Sequence, residues 1–223
     1  MSKNIVIAID GPAGSGKSTA AKNLAERLGL IYVDTGAMYR AITYLAIQKG
    51  IVNDRNSVIE LARNVKLKLK FENGITRVFV NNKEITDKIR SAEINDKVSD
   101  ISKIPEVRAE LVKIQRKLGE DGNLIAEGRD TTTVVFPDAD LKIYLTASID
   151  ERARRRHKEF LEKGINISLD EVKANLEKRD KLDSERDVSP LKKADDAIEF
   201  DNTNISIADE IETLLKKIKE IDK

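Results

Sequence analysis

The chain has 223 residues, 40% of them hydrophobic and 35% charged, and its 40 Lys and Arg face 39 Asp and Glu for a net charge of +1. That length supports one globular core with a modest insertion, and even charge with 4% aromatic content argues against a nucleic-acid binder, which needs a basic excess and stacking surfaces. With no cysteine there are neither disulfides nor thiolate metal sites, the start shows no secretory signal and no apolar run is long enough to cross a bilayer, so a cytoplasmic, membrane-free protein is expected.

The first element is Ile5-Val6-Ile7-Ala8-Ile9, an apolar β-branched run of the kind a buried parallel strand shows. Gly11-Pro12-Ala13-Gly14-Ser15-Gly16-Lys17-Ser18 follows and fits G-x-x-x-x-G-K-[ST]. Behind it, Ala21, Leu24, Ala25 and Leu28 recur at helical spacing until Gly29. A glycine-rich turn between strand and helix lets backbone N–H groups converge at the positive end of a helix dipole. Lys17 is then placed for the β- and γ-phosphates and the Ser18 hydroxyl for Mg²⁺. A turn without function is the bland alternative, but strand and helix both sit where the motif requires them. The pattern predicts a nucleoside triphosphate site.

Ile31-Tyr32-Val33, Leu124-Ile125-Ala126, Leu141–Leu145 and a weaker Ala197–Phe200 read as further strands. Between them, Ser148…Glu151 and Ser168…Glu171 read as capping boxes, and Pro105-Glu106 as a first helical turn. Ile207, Ile211, Leu214, Leu215 and Ile218 predict one buried face on a last helix over 207–221. Alternation of strands and helices predicts an α/β fold with a parallel sheet flanked by helices. Residues 65–86 break it: Lys66–Phe71 has period two, Asn73-Gly74 is a hairpin signal, and Thr76–Val80, a turn at Asn81-Asn82 and Glu84-Ile85-Thr86 follow. This is read as a small antiparallel insertion, either surface decoration or a part that shapes an acceptor site.

Ligands of open parallel sheets sit beyond the carboxyl ends of the strands. Thr35 and Arg40, in Asp34-Thr35-Gly36-Ala37-Met38-Tyr39-Arg40, and Arg129, in Glu127-Gly128-Arg129-Asp130, therefore face the glycine loop's crevice. A forked guanidinium suits a phosphate, which makes Arg40 and Arg129 candidates for an acceptor. On the helix after Ser148, Arg152, Arg155 and Arg156 share a side. Such like charge is unfavourable without anions, so a phosphoryl-transfer role is preferred to a solvated face. Arg179, Asp183 and Arg186 read as a salt-bridge ladder or as the end of a cation ring with Asp183 on a sugar hydroxyl. His157 is read as a surface residue and not a base.

These motifs, in this order and with Ile89-Arg90, Pro105-Glu106-Val107-Arg108 and Thr133–Ala139, resemble bacterial cytidylate kinase over nearly the whole length. The resemblance implies a P-loop nucleoside monophosphate kinase with a core (1–35, 105–150, 187–223), an acceptor-binding domain (36–104) enlarged by the insertion, and a short helical lid (about 151–186). It implies that Gly11, Pro12, Ala13, Gly14, Ser15, Gly16, Lys17, Ser18 and Thr19 hold ATP with Mg²⁺. CMP or dCMP would be held by Arg40 and Arg129 at its phosphate, with Thr35, Ser99, Arg108 and Asp130 around the cytosine, and Asp183 with Arg186 at the ribose. Asp130 facing the cytosine amine would go unpaired with uracil, a preference of roughly 1–3 kcal/mol. The chain departs from the family once: Thr131-Thr132-Thr133 stands where a hydrophobic residue, Gly and Thr are usual, which makes the backbone at Thr132 a point for the structure to decide.

The expected reaction is ATP plus CMP (or dCMP) giving ADP plus CDP (or dCDP), catalysed by Lys17, Arg152, Arg155, Arg156 and Arg179 in a chain acting as a monomer. No general base is needed, because the acceptor oxygen is already an anion. A GTPase switch would need Asn-Lys-x-Asp after a strand, whereas Asn82-Lys83-Glu84 lies in the hairpin and lacks the acid. A kinase for UMP or a small metabolite is the nearer alternative.

Overall fold

A computed structural model describes residues 4–72, 75–162 and 164–221. In chain order, β1 (Val6–Asp10), α1 (Lys17–Leu28) and β2 (Ile31–Asp34) lead into α2 (Thr35–Gln48) and α3 (Arg55–Asn64). Next come β3 (Leu67–Glu72), β4 (Ile75–Val80), a two-residue β5 (Lys83–Glu84) and a 3-10 turn over Thr86–Arg90. They are followed by α4 (Ala92–Ser102), α5 (Pro105–Leu118), β6 (Leu124–Gly128), a π turn over Thr131–Val135 and β7 (Leu141–Thr146). The last elements are α6 (Ile149–Glu162), α7 (Leu169–Ser184), β8 (Ile198–Asp201) and α8 (Ile207–Ile221).

The main sheet is ordered β2-β6-β1-β7-β8, and its pairs are all parallel. Its strands are continuous apolar runs because helices cover both faces. Ile7, Ile9, Ile125 and Ile143 are fully buried with Leu24 of α1 and with Leu214 and Ile218 of α8. Each such side chain contributes about 1.5–3 kcal/mol through its burial. The strand ends differ by a residue or two from the apolar runs, since β1 and β6 carry on into Asp10 and Gly128. Those extensions bring the polar residues that matter to the sheet's carboxyl edge.

The period-two stretch forms an antiparallel sheet ordered β3-β4-β5, with Leu67 opposite Val80 and Phe71 opposite Thr76. Asn73-Gly74, the expected hairpin turn, lies outside the described residues. The turn at Asn81 and Asn82 has positive φ at both residues (48° and 65°), as a tight primed turn requires. The third strand ends at Glu84, and Thr86 opens the 3-10 turn instead, its hydroxyl accepting from Val78 N at 3.0 Å. Leu67, Val78, Val80 and Ile85 pack into a second core with Met38, Ile42, Val58 and Leu111 of α2, α3 and α5. Thr76 donates to the Tyr32 carbonyl at 3.0 Å, and Phe71 meets the Tyr32 ring edge-on at 6.0 Å. The hairpin thus supports the helices that carry the site and the outer edge of β2.

Two local expectations need correction. Ile207 does not join the buried face of α8; it is 59% exposed, because it stands in the first turn, beyond the reach of the sheet. The box at Ser148 is half formed: its hydroxyl accepts from Glu151 N, but the Glu151 carboxylate bonds Arg154 and Arg155 instead, and Ser148 N donates to Thr203. The box at Ser168 and Glu171 is complete.

Candidate active site

A cleft of about 640 Å³ lies at the carboxyl edge of the sheet and is lined by the glycine loop, α2, α4, α5, the end of β6, α6 and α7. Gly11 permits the loop's entry. A Cβ there would stand 2.0 Å from the Leu145 carbonyl oxygen of β7, so only glycine lets the loop cross so close to the sheet. Gly16 (φ 93°) is the N-cap of α1 and supplies no side chain to that cap, which leaves the first-turn N–H groups for a ligand. Lys17 is 5% exposed and donates to Pro12 O at 2.7 Å and to Ser15 Oγ at 3.3 Å, folding the loop around its amine.

Burial first, then the nearby Arg129 charge, pulls the Lys17 pKa down to about 7, against the pull of Glu127, Asp10 and Asp183. A polyphosphate bound over the amine raises it again, so above about pH 7 binding must take up a proton. Affinity for ATP is therefore expected to fall as pH rises, by up to roughly tenfold per unit. Calorimetry near pH 8 in two buffers of different ionisation enthalpy should show close to one proton taken up per ATP. A Lys17→Ala chain should show none.

Ser18 donates to Glu127 Oε1 at the end of β6, and Tyr32 donates to the same oxygen at 2.7 Å. Hydroxyl and carboxylate together form an oxygen donor set beside the phosphate cradle, the set a hard cation takes. Glu127 had no assigned role on sequence grounds. An apolar strand ending in an acid was the available signal, but its partner Ser18 is 109 residues away.

The rest of the cleft carries a set of arginines held by buried carboxylates. Asp34 caps α2 by accepting from Ala37 N at 3.0 Å and holds Arg40 at 2.6 Å and Arg90 at 3.2 Å. Burial pushes the Asp34 pKa up, but Arg40 and Arg90 outweigh it and hold the carboxyl below the usual range. Arg129 Nε donates to Asp183 at 2.8 Å. Arg108 is fastened to Asp130, donates to Ser102 O at 3.0 Å and lies 5.2 Å over the Tyr39 ring. Arg186 reaches Asp130 from the other side, at 3.7 Å. Thr35 spends its hydroxyl on Glu127 O at 2.7 Å, and Ser99 is buried in the wall. Nε of Arg40, Arg108 and Arg179, the Arg186 terminal nitrogen that faces Asp130, and the Tyr39 hydroxyl are buried without a hydrogen bond, in a cleft these residues all line. Burial and the Arg129 charge draw Arg179 down to about 10. This concentration of cations calls for anions.

Of the expected residues, Lys17, Arg155, Arg156, Arg179, Ala13, Gly14, Gly16, Ser18, Thr19, Thr35, Arg40, Ser99, Arg108, Arg129, Asp130, Asp183 and Arg186 line this one cleft. Gly11, Pro12 and Ser15 shape the loop from behind. Arg152 does not line it: the guanidinium turns toward the loop's back, bonding Ala147 O, Ala13 O and Asp180. Sharing a helix side with Arg155 and Arg156 was the wrong guide, because Asp180 and Ala13 lie elsewhere in the chain. Arg155 bonds Asn202 through side chain and backbone, at 3.0 and 2.9 Å, while Arg156 stacks on Phe160. His157 is half-buried and bonds the Ile167 carbonyl at 3.0 Å, tying α6 to the segment before α7. None of the described residues of the hairpin segment 65–86 lines the cleft.

The φ of Thr132 is not positive, so the backbone needs no glycine there, and its N–H and hydroxyl both donate to the buried Asp10 at 2.6 Å, beside Thr131 N at 2.8 Å. Burial still raises the Asp10 pKa, while these donors, each worth about 1.5–3 kcal/mol to a charged acceptor, favour the carboxylate.

The family model described as cytidylate kinase matches residues 7–220. A cytidylate kinase of Geobacillus sp. (strain WCH70) is 46% identical over 221 residues, spanning 99% of this chain and 99% of the relative. One from Oceanobacillus iheyensis is 47% identical over 219 residues, spanning 98% of this chain and 95% of the relative. Among solved structures, an uncharacterised protein from Eubacterium ventriosum ATCC 27560 superposes with a TM-score of 0.54 at 13% identity, spanning 98% of this chain and 99% of that one, a likeness of fold alone.

Proposed function

The chain belongs to the cytidylate kinase family, and from that premise we propose that this cleft receives ATP and CMP end to end. The protein is a nucleoside monophosphate kinase that transfers the γ-phosphoryl group of ATP to CMP, giving ADP and CDP. In the proposed division, residues 1–35, 105–150 and 187–223 form the core, 36–104 the acceptor-binding part and about 151–186 the lid of a cytoplasmic monomer. The observation that carries the reading is Asp130, 4% exposed and fastened between Arg108 and Arg186, in the same cleft as Lys17.

In this reading the loop from Gly11 to Thr19 holds the ATP phosphates, and Arg40 and Arg129 hold the phosphate of CMP or dCMP. An oxygen of that phosphate attacks Pγ while the bond to the ADP oxygen breaks. The attacking oxygen is already an anion, so no side chain has to take a proton. Mg²⁺ would be held by Ser18, with Glu127 behind it, and would supply charge neutralisation to the phosphates when bound. Lys17 and the arginines, Arg156 and Arg179 among them, supply the rest of the positive field in a site that excludes water. Asp130 would accept from the cytosine amine, with Arg108 on the ring acceptors and Asp183 with Arg186 at the ribose.

A coupled assay of ADP release with CMP, dCMP, UMP, AMP and dTMP offered in turn tests this. CMP and dCMP should turn over, with UMP slower by about 10- to 100-fold, the rate equivalent of one unpaired buried acid. Equal rates with UMP would remove the role given to Asp130. Steady GTP hydrolysis with none of the monophosphates accepted would favour a switch instead.

A further inference from the structure

Ala13, in the glycine loop, has both of its backbone polar groups engaged by α6 and α7. Its N–H donates to Asp180 Oδ1 of α7 at 3.0 Å, and its carbonyl accepts from Arg152 of α6 at 3.0 Å. Arg152 also bonds the other Asp180 oxygen and, through Nε, the Ala147 carbonyl just before α6 at 2.9 Å. The Ala13 methyl, 3% exposed, is buried in the small core that joins the two helices, against Ala153, Val172 and Leu176. One residue of the phosphate loop is thus held at both its N–H and its carbonyl by the two helices that carry Arg155, Arg156 and Arg179.

We propose that Arg152 and Asp180 are positioning residues which rivet the base of the α6–α7 pair to Ala13 and so fix Arg156 and Arg179 in register with Lys17. The inference rests on the kinase reading above. Both groups are directed away from the cleft, so neither touches substrate. Only a fork can reach Ala147 O, Ala13 O and Asp180 together, which is why arginine and not lysine suits the place. With the rivet in place, α6 and α7 cannot leave the loop at their base, and any closure over substrates is confined to the far ends of the pair. Losing it would leave the nucleotide-binding groups present but loosely set against one another. Misplacement of about an ångström costs up to roughly a hundredfold in rate.

The test compares Arg152→Ala, Asp180→Ala and the double variant with the unaltered full chain. Turnover with CMP is measured alongside amide hydrogen exchange over residues 11–18, without nucleotide. Expected are kcat losses of about 10- to 100-fold in each single variant with KM for CMP within about threefold, and no further loss in the double, because the two act as a unit. Exchange at the loop should quicken in all three. If Asp180→Ala does not fold, Asp180→Asn keeps an acceptor for Ala13 but ends the ion pair with Arg152, and should show the same split more weakly.

Losses that multiply in the double variant, unchanged kcat in variants that remain folded, or unchanged exchange at the loop would each overturn the proposal. Turnover of no monophosphate by the unaltered chain would instead sink the kinase reading. The exchange measurement uses no substrate and still decides on the rivet.

Discussion

Replacing Lys17 by alanine is expected to lower kcat by about 10²- to 10³-fold, the loss of one preorganised charge worth about 2.7–4 kcal/mol in a water-excluded site. The fold should survive. The Lys17 hydrogen bonds run to Pro12 O and Ser15 Oγ of its own loop, and its amine is a buried cation whose desolvation already works against folding. Removing it leaves the Pro12 carbonyl and the Ser15 hydroxyl to water entering from the cleft, so the melting temperature should stay within a few degrees or rise. Lys17→Arg should not rescue turnover, since the loop closes over a compact ammonium with only 5% of the residue exposed. Coupled kinase kinetics and thermal melts of both variants check this. Turnover within tenfold of the unaltered chain would mean that the amine is not aimed at the transferred group.

The parallel sheet was legible because buried strands are written as apolar runs, and the glycine loop because its spacing is a backbone requirement. The hairpin was legible through its period of two. Less could be read of α2. Ala37, Met38, Tyr39, Ala41, Ile42, Thr43 and Ala46 are all buried there, so no polar stripe marks the helix. Arg152 misled for a different reason. Helical spacing gives the side a residue occupies at best, and what a guanidinium bonds is set by Asp180 and Ala13, which reach it through the tertiary fold. The same holds for Glu127 with Ser18 and Tyr32, and for His157 with Ile167. Ile207 has the right spacing for the core of α8 and lies beyond the end of the layer it would pack on. The family resemblance named the acceptor arginines by position. It did not reveal that Arg40, Arg108 and Arg129 are each pre-oriented by a carboxylate, Asp34, Asp130 and Asp183, and this pairing is what makes them fixed donors rather than mobile charges.

Arg129→Ala carries the second large effect. The side chain joins the end of β6 to α7 through Asp183 and stands close enough to Lys17 to lower its pKa. Asp183 would lose its hydrogen-bonded partner but keep the nearby charges of Arg186 and Arg179, so α7 should stay docked. The CMP phosphate would lose one of two forked grips, about 2–4 kcal/mol or roughly 30- to 1,000-fold in affinity. The ATP site should feel the change with the opposite sign: without the Arg129 charge, Lys17 holds its proton to higher pH and phosphate binding at neutral pH is not weakened. The decisive measurement is therefore calorimetric titration of the Arg129→Ala chain with CMP and, separately, with a non-hydrolysable ATP analogue and Mg²⁺. A cleft in which donor tail and acceptor monoester meet at Arg129 predicts a Kd for CMP raised by at least about 30-fold with the analogue's within about threefold. An unchanged Kd for CMP together with a weakened analogue would contradict it.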